Sequence, residues 1–317
     1  MRAATREAFG RALVELAREG LEFVVLDANV SEASRTSDFA HEFPTRFVNC
    51  GISEQSMVAV AAGYAASGIP VVAASFAAFL VSRAFDQMRM LVAQPHLDVT
   101  LVGTHGGITV GEDGISAQAV EDLALMSSLA GVTVIVPADA TQTRAAMRAA
   151  LTIAGPVYVR CSRFPTPASL PASEDFRVGR ANLVRGGDDL TIVATGTMVE
   201  AAIAAAELLD RGGARCSVLN VSTVCPIDEE ALVAAARRTG RLVVAEEHLV
   251  NGGLGSIVAR VLATTCPVPM RFVGLQGTYA GSAPAEDLLR HYGLSPEAIA
   301  GAAASLLGRA GGDGGAT

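Results

Sequence analysis

Short β-branched runs alternate with alanine-rich stretches along most of the chain, a pattern that predicts repeated βα units around a mainly parallel sheet. Strands are expected at 23–28, 46–50, 71–75, 99–104, 132–136 and 157–161. Each is apolar on nearly every residue, as in strands covered on both faces. Helices are expected around 55–66, 80–93, 119–128 and 140–150. Residues 164–187 then carry Pro165, Pro167 and Pro171 among Ser and Glu, which reads as a linker that stops helix and strand alike. A second block begins with a strand at 189–195, a helix to about Leu209, and strands at 216–221, 242–246 and 271–274. The Gly/Ala-rich end, 308–317, is expected to fray.

The chain has 317 residues, 50% hydrophobic, with a formal charge of −8, which suits two globular domains. It contains no lysine, so Schiff-base chemistry on a lysine and a Walker-A phosphate loop are excluded within it. The acidic balance and the absence of tryptophan give no basic stacking surface, so nucleic acid is not an expected partner. Charges at Arg2, Arg6, Glu7, Arg11, Glu15, Arg18 and Glu19 make the first 20 residues an amphipathic helix rather than a leader, and no run suits a membrane span. The five cysteines lie far apart, without a C-x-x-C pair, and read as small core residues. A cytoplasmic location is the expectation.

Three segments are candidates for chemistry. In RFVNCGISEQSM, Glu54 falls in the first turn of a helix whose continuation is almost wholly apolar. It is either a carboxylate complementing the helix dipole or an acid held at a covered interface, able to share a proton. In SFAAF, Phe76 and Phe79 are either core residues or a wall for a flat heteroaromatic ligand at a strand's carboxyl end. The loop 103–122 holds five glycines within twelve residues together with His105, Glu112 and Asp113, so backbone there can approach a ligand closely. Arg160 and Arg163, at spacing three, are expected to share one site as an anion clamp.

GISEQSM, SFAAF, THGGITVGEDG with Gln118 and Glu121, VIVPADA, EEHLVNGGLGS and GSAPAEDLLRHYGL together resemble the second half of a transketolase, from about residue 5 to about residue 305. More closely, the chain resembles the C-terminal subunit of a split transketolase. The resemblance implies an α/β fold of two domains: a thiamine-diphosphate pyrimidine-binding domain with a mainly parallel sheet at 1–175, a linker at 176–188, a smaller C-terminal α/β domain at 189–310 and a flexible tail at 311–317. It implies that Glu54 hydrogen-bonds N1′ of the aminopyrimidine, where a shared proton activates the cofactor. It implies that Phe79 stacks on that ring, with Phe76 the second candidate, and that Asp27 lies near the cofactor unless it only caps its strand. His105, Asp113 and Arg163 match residues around the substrate's oxygens and phosphate, and His105 is a candidate catalytic group.

The family holds its diphosphate through Mg²⁺ on a GDG motif with a later Asn, in a domain preceding this one. The GDG at 312–314 has neither a strand before it nor an Asn after it, so a separate N-terminal subunit is expected to supply thiamine diphosphate's metal half, in an α₂β₂ assembly. Where transketolases usually read GEDGPTHQ, this chain reads GEDGISAQ, placing Ala117 at a substrate-touching histidine position. The expected activity is transfer of a two-carbon ketol unit from a ketose to an aldehyde. The alternatives are a decarboxylating subunit that takes a 2-oxo acid, as in 2-oxo-acid dehydrogenase β subunits and deoxyxylulose-phosphate synthase, and a non-catalytic supporting subunit. A dinucleotide-binding fold is disfavoured, since no G-x-G-x-x-G follows the first strand.

Overall fold

The computed structural model describes residues 2–168, 170 and 176–308. Its larger sheet has seven strands in the order Thr223–Cys225, Thr133–Ile135, Val157–Arg160, Val99–Thr104, Val71–Phe76, Val24–Asp27 and Phe47–Asn49. All neighbours pair in parallel except Thr223–Cys225, which runs antiparallel at one edge. The unbroken apolar runs feed two cores. Leu26, Val71, Ala73, Leu101 and Tyr158 enter a cluster with Met57, Val58 and Leu80 on one face. Their neighbours Val25, Val72, Ala74, Val102 and Val159 enter a cluster with Phe9, Leu13, Phe23 and Phe39 on the other. Successive side chains point to opposite faces, so helices must cover both.

The second sheet has five strands, ordered Met270–Leu275, Leu242–Leu249, Leu190–Ala194, Cys216–Asn220 and Asn182–Arg185. It is parallel except for the last edge strand. Asp228 caps the helix Glu229–Thr239 by accepting from Ala231 N at 3.0 Å, and Gly240, at φ 68°, closes it in the left-handed conformation. Asp139 caps Ala140–Ala150 in the same way through Gln142 N at 2.9 Å.

Several expectations shift. The stretch 164–187 is not wholly irregular: Pro165–Pro167 pairs antiparallel with Arg2–Ala4, and Asn182–Arg185, inside the expected linker, is a sheet edge. Proline is tolerated in the first because a two-stranded ribbon leaves one side of each strand unpaired. The expected helix at 80–93 divides into Ala77–Gln87 and a π-helical stretch Met88–Ala93, with Ala84 out of helical geometry within the first. The expected helix at 119–128 contracts to Asp122–Ser127. The tail 311–317 lies outside the described residues.

Candidate active site

Phe47–Asn49, Val24–Asp27, Val71–Phe76 and Val99–Thr104 are parallel neighbours, so their carboxyl ends share one edge of the large sheet, where open α/β sheets bind ligands. Beyond Asn49 the chain reverses through Gly51, at φ 71°, with Asn49 Oδ1 accepting from Gly51 N at 2.9 Å. Glu54 then opens the helix Glu54–Ala66 and is only 4% exposed. Arg83 Nη1 donates to both of its carboxylate oxygens at 2.9 Å.

From Glu54 a row of flat groups crosses the strand ends. The Arg83 guanidinium lies 4.3 Å from the Phe79 ring centroid. Phe79 and Phe76 are near-parallel, at 4° and 5.5 Å between centroids, and Phe76 lies against the His105 imidazole at 3.7 Å and 17°. Both phenyl rings keep some exposed surface, so neither is a fully buried core residue.

His105 ends the row in a left-handed conformation, φ 59°, almost fully buried. Arg6 Nη1 lies 2.8 Å from its Nε2, and Thr104 Oγ1 lies 2.9 Å from its Nδ1. A guanidinium can only donate, so Nε2 carries the lone pair and Nδ1–H donates to Thr104, whose hydroxyl in turn donates to Ser75 O at 3.2 Å. Burial, Arg6 and Arg163 push the imidazole down to about 3, so it is neutral.

The guanidiniums of Arg6 and Arg163 act on His105, and Arg35 lies near Arg6 with its Nη2 3.6 Å from Glu7 Oε1. The Arg6 pKa is lowered by burial and then by the nearby charges of Arg35 and Arg163, which outweigh Glu7 and Asp113. Arg163 Nη1 donates to Asp113 Oδ2 at 3.1 Å and to Val110 O at 3.0 Å. Arg35 is held at φ 69° against the first helix at Gly10, where a Cβ would overlap its carbonyl oxygen. The Nε atoms of Arg6 and Arg35 are buried with no acceptor. Neighbouring guanidiniums with unused Nε donors have the chemistry to receive an anion.

Asp27 is buried, accepting from Val30 N at 2.6 Å, Ser34 Oγ at 2.8 Å and Thr36 Oγ1 at 2.9 Å. Those bonds shape the 28–36 turn that carries Arg35, which is the capping alternative for this residue. Arg160 does not join Arg163. It is buried in the seam between the domains, with Nε on Asp122 at 2.8 Å and Nη2 on the carbonyls of Ala119 and Glu247, so the shared clamp expected from their spacing is not formed. Ala117 is buried, while Ile115 beside it is 61% exposed. Gln118 fastens that stretch by a two-way pair with Ala280 at 2.9 Å in each direction. Among the described residues no three His, Cys, Asp or Glu side chains gather as metal ligands.

Sequence reasoning passed over Arg6, Arg35 and Arg83. For Arg6 a signal was there: it lies three, four and seven residues before Phe9, Gly10 and Leu13, on the buried stripe of its helix. Arg83 likewise follows Phe79 by one helical turn.

The family model of the transketolase pyrimidine-binding domain matches residues 1–167, and that of the transketolase C-terminal domain matches 179–299. A 6-deoxy-6-sulfo-D-fructose transketolase subunit from Clostridium sp. (strain MSTE9) is 39% identical over 304 residues, covering 96% of this chain and 94% of that one. An apulose-4-phosphate transketolase subunit from Phocaeicola vulgatus is 36% identical over 298 residues, 93% of this chain and 95% of that one. Among solved structures, a split-gene transketolase described as an inactive β4 tetramer superposes with a TM-score of 0.88 at 44% identity, covering 97% and 99% of the two chains. Full-length transketolases are matched over about half of their length. Two family domains in this order, the full span of the split subunits and the Glu54-to-His105 row at the strand ends agree: the chain belongs to the transketolase family, as the counterpart of the C-terminal subunit of its split, thiamine-diphosphate-dependent members.

Proposed function

We propose that Glu54, Phe79 and Phe76 hold the aminopyrimidine of thiamine diphosphate and that Arg6, Arg35, Arg163 and His105 take the anionic end of a sugar. The observation that carries this reading is the row itself: a buried acid at one end, partly exposed aromatic rings between, and at the other an arginine cluster in which the buried Nε atoms of Arg6 and Arg35 have no acceptor. The residues fit the cofactor, since a carboxylate beside flat rings at a helix start suits a protonatable heterocycle. When bound, thiamine diphosphate supplies the carbon nucleophile of the reaction. Glu54 holds or shares the proton at N1′, and His105, neutral and accepting at Nε2 from Arg6, orients that guanidinium towards the substrate's anion. In the reaction the ketose C2–C3 bond breaks, the C3 hydroxyl loses its proton as an aldose two carbons shorter leaves, and the two-carbon unit joins the acceptor's carbonyl carbon, whose oxygen gains a proton.

The substrate class is a sugar with a phosphate or sulfonate at its far end; the two relatives named for such sugars support this. Asp113, paired with Arg163, faces the same anion and sugar hydroxyls, and Ala117 leaves room where an imidazole stands in most transketolases. The Mg²⁺ and diphosphate are held by an N-terminal partner subunit in an α₂β₂ assembly. The inactive state of the split-gene β4 tetramer supports that need for a partner. The five free thiols suit the cytoplasm.

The test is reconstitution with the N-terminal subunit, Mg²⁺ and thiamine diphosphate on ketose phosphates, sulfonated ketoses and 2-oxo acids. Ketol transfer from an anionic ketose is expected. Release of carbon dioxide from a 2-oxo acid without ketol transfer would favour the decarboxylating alternative, and binding of cofactor plus Mg²⁺ by this chain alone would remove the partner's role.

A further inference from the structure

After the antiparallel edge strand Asn182–Arg185, the chain takes the middle of the five-stranded sheet at Leu190–Ala194, steps to Cys216–Asn220 on one side, then crosses to Leu242–Leu249 on the other. The reversal point lies between Leu190–Ala194 and Leu242–Leu249, and the crevice at the carboxyl ends there is where an open α/β sheet ordinarily takes a ligand. Here it takes the glycine-rich loop of the first domain. Glu247, fully buried, reaches into it: Oε2 accepts from Thr197 Oγ1 at 2.8 Å and Oε1 accepts from Thr109 N at 2.7 Å. Gly107, at φ 88°, is what admits the carboxylate, because a Cβ there would overlap it. From Thr109 the bonding continues towards the arginine cluster. Thr109 Oγ1 meets Ser162 Oγ at 3.2 Å, Ser162 N donates to Thr5 Oγ1 at 2.7 Å, and Arg6 N donates to Ser162 O at 3.1 Å.

We infer that Glu247 is a positioning residue: the second domain uses it to clamp the 105–119 loop, and so sets His105, Asp113 and Arg6 for the anionic end of the substrate. It touches none of the reacting groups. A lone structural acid would have no need of two donors from two different domains, nor of a glycine opposite it. Burial raises the Glu247 carboxyl above its ordinary value, and Arg160 with the bonds from Thr109 and Thr197 opposes part of that shift. That the clamped site binds an anion rests on the function proposed above; the clamp itself does not.

The experiment uses the full chain and two readouts. In hydrogen exchange by mass spectrometry, Glu247→Ala is expected to speed exchange across 105–119 by about tenfold, as for one buried donor left unpaired, with the 54–66 helix unchanged. Glu247→Gln should restore wild-type protection, because its amide oxygen still accepts from Thr109 N while its NH₂ donates to Thr197. Thr197→Val, which leaves Thr109 bonded, should give a smaller effect in the same segment and serves if Glu247→Ala does not fold. In titration with inorganic phosphate, Glu247→Ala should weaken binding by about tenfold and Glu247→Gln should not. Unchanged loop exchange in Glu247→Ala, faster exchange spread over both domains, or no rescue by glutamine would overturn the inference. Equal phosphate affinity in wild type and Glu247→Ala would do so as well. If the wild type itself binds no phosphate, the anion reading fails while the exchange data still judge the clamp.

Discussion

Arg83 Nη1 sits 2.9 Å from both oxygens of Glu54, so the acid expected to meet the aminopyrimidine is already aimed by a guanidinium that also lies over Phe79. One arginine thereby fixes the carboxylate and the ring relative to each other. In the reconstituted complex, Glu54→Gln should slow deuterium exchange at thiazolium C2 by at least ~10²-fold, since the amide keeps size and bonding but cannot share the proton. Arg83→Met should slow it by roughly tenfold through lost aim. An Arg83→Met exchange rate equal to wild type would leave that pair without a catalytic meaning.

Arg6 holds His105 through Nη1 and keeps a buried Nε with no acceptor, a donor whose worth should appear when an anion arrives. Arg6→Gln is expected to raise KM for a phosphorylated or sulfonated sugar by about 10–100-fold with little change in kcat, the size of a lost charge-assisted bond. Neutral ketoses should be nearly indifferent. Steady-state kinetics on the paired substrates checks both halves.

His105 is held neutral well below its ordinary 6.5, down to about 3, by burial and then by Arg6 and Arg163. The unfolded chain takes up the proton first, so this group's stabilisation is complete above about pH 6.5 and is lost as pH falls towards 3. The slope is about 1.4 kcal/mol per pH unit from this one group. His105→Asn should flatten the acid side of a plot of thermal midpoint against pH. Ring ¹⁵N spectra of the wild type at pH 5 should show a neutral imidazole protonated on Nδ1; an imidazolium signal would refute the assignment.

Ala117 offers a contrast between a lesion and an adaptation. His105, Asp113 and Arg163 still converge around the loop, which favours adaptation. Ala117→His is therefore expected to lower turnover of the native donor and acceptor, because the imidazole would crowd the substrate the site has adapted to. A panel of ketose phosphates, sulfonated ketoses and unphosphorylated ketoses, run on both forms, reads this out. Best turnover by the natural form on xylulose 5-phosphate with ribose 5-phosphate would sink the altered-substrate idea.

The strands of the large sheet were legible because a doubly covered strand must be apolar on successive residues, and Val71–Ala74 or Leu101–Val102 can be nothing else. The burial of Glu54 was legible for a related reason: its helix has hardly any polar surface with which to face water. The place of Arg6 on the buried stripe of its helix signals that it turns inward, but neither it nor Arg83 reveals its partner in the sequence, since nothing local points to a group 99 positions away, as Arg6 meets His105. Arg160 was misplaced by the converse limit: spacing along a strand fixes which face a residue shares, but not whether that face opens on a ligand or on a second domain. The short edge strands Asn182–Arg185 and Thr223–Cys225 exist only through pairing with segments far off in sequence, and carry little local signal.

Thr223–Cys225 belongs by sequence to the second domain and by hydrogen bonding to the first domain's sheet. Cutting the chain anywhere between residues 170 and 220 would therefore do more than free two modules. One fragment would carry a bare sheet edge at Thr133–Ile135, open to pairing with any passing strand, and the other an orphaned tripeptide with nothing to zip against. Anyone exchanging C-terminal domains among split enzymes to change their tastes in sugar will have to carry this borrowed strand, and the edge it fits, as a matched set.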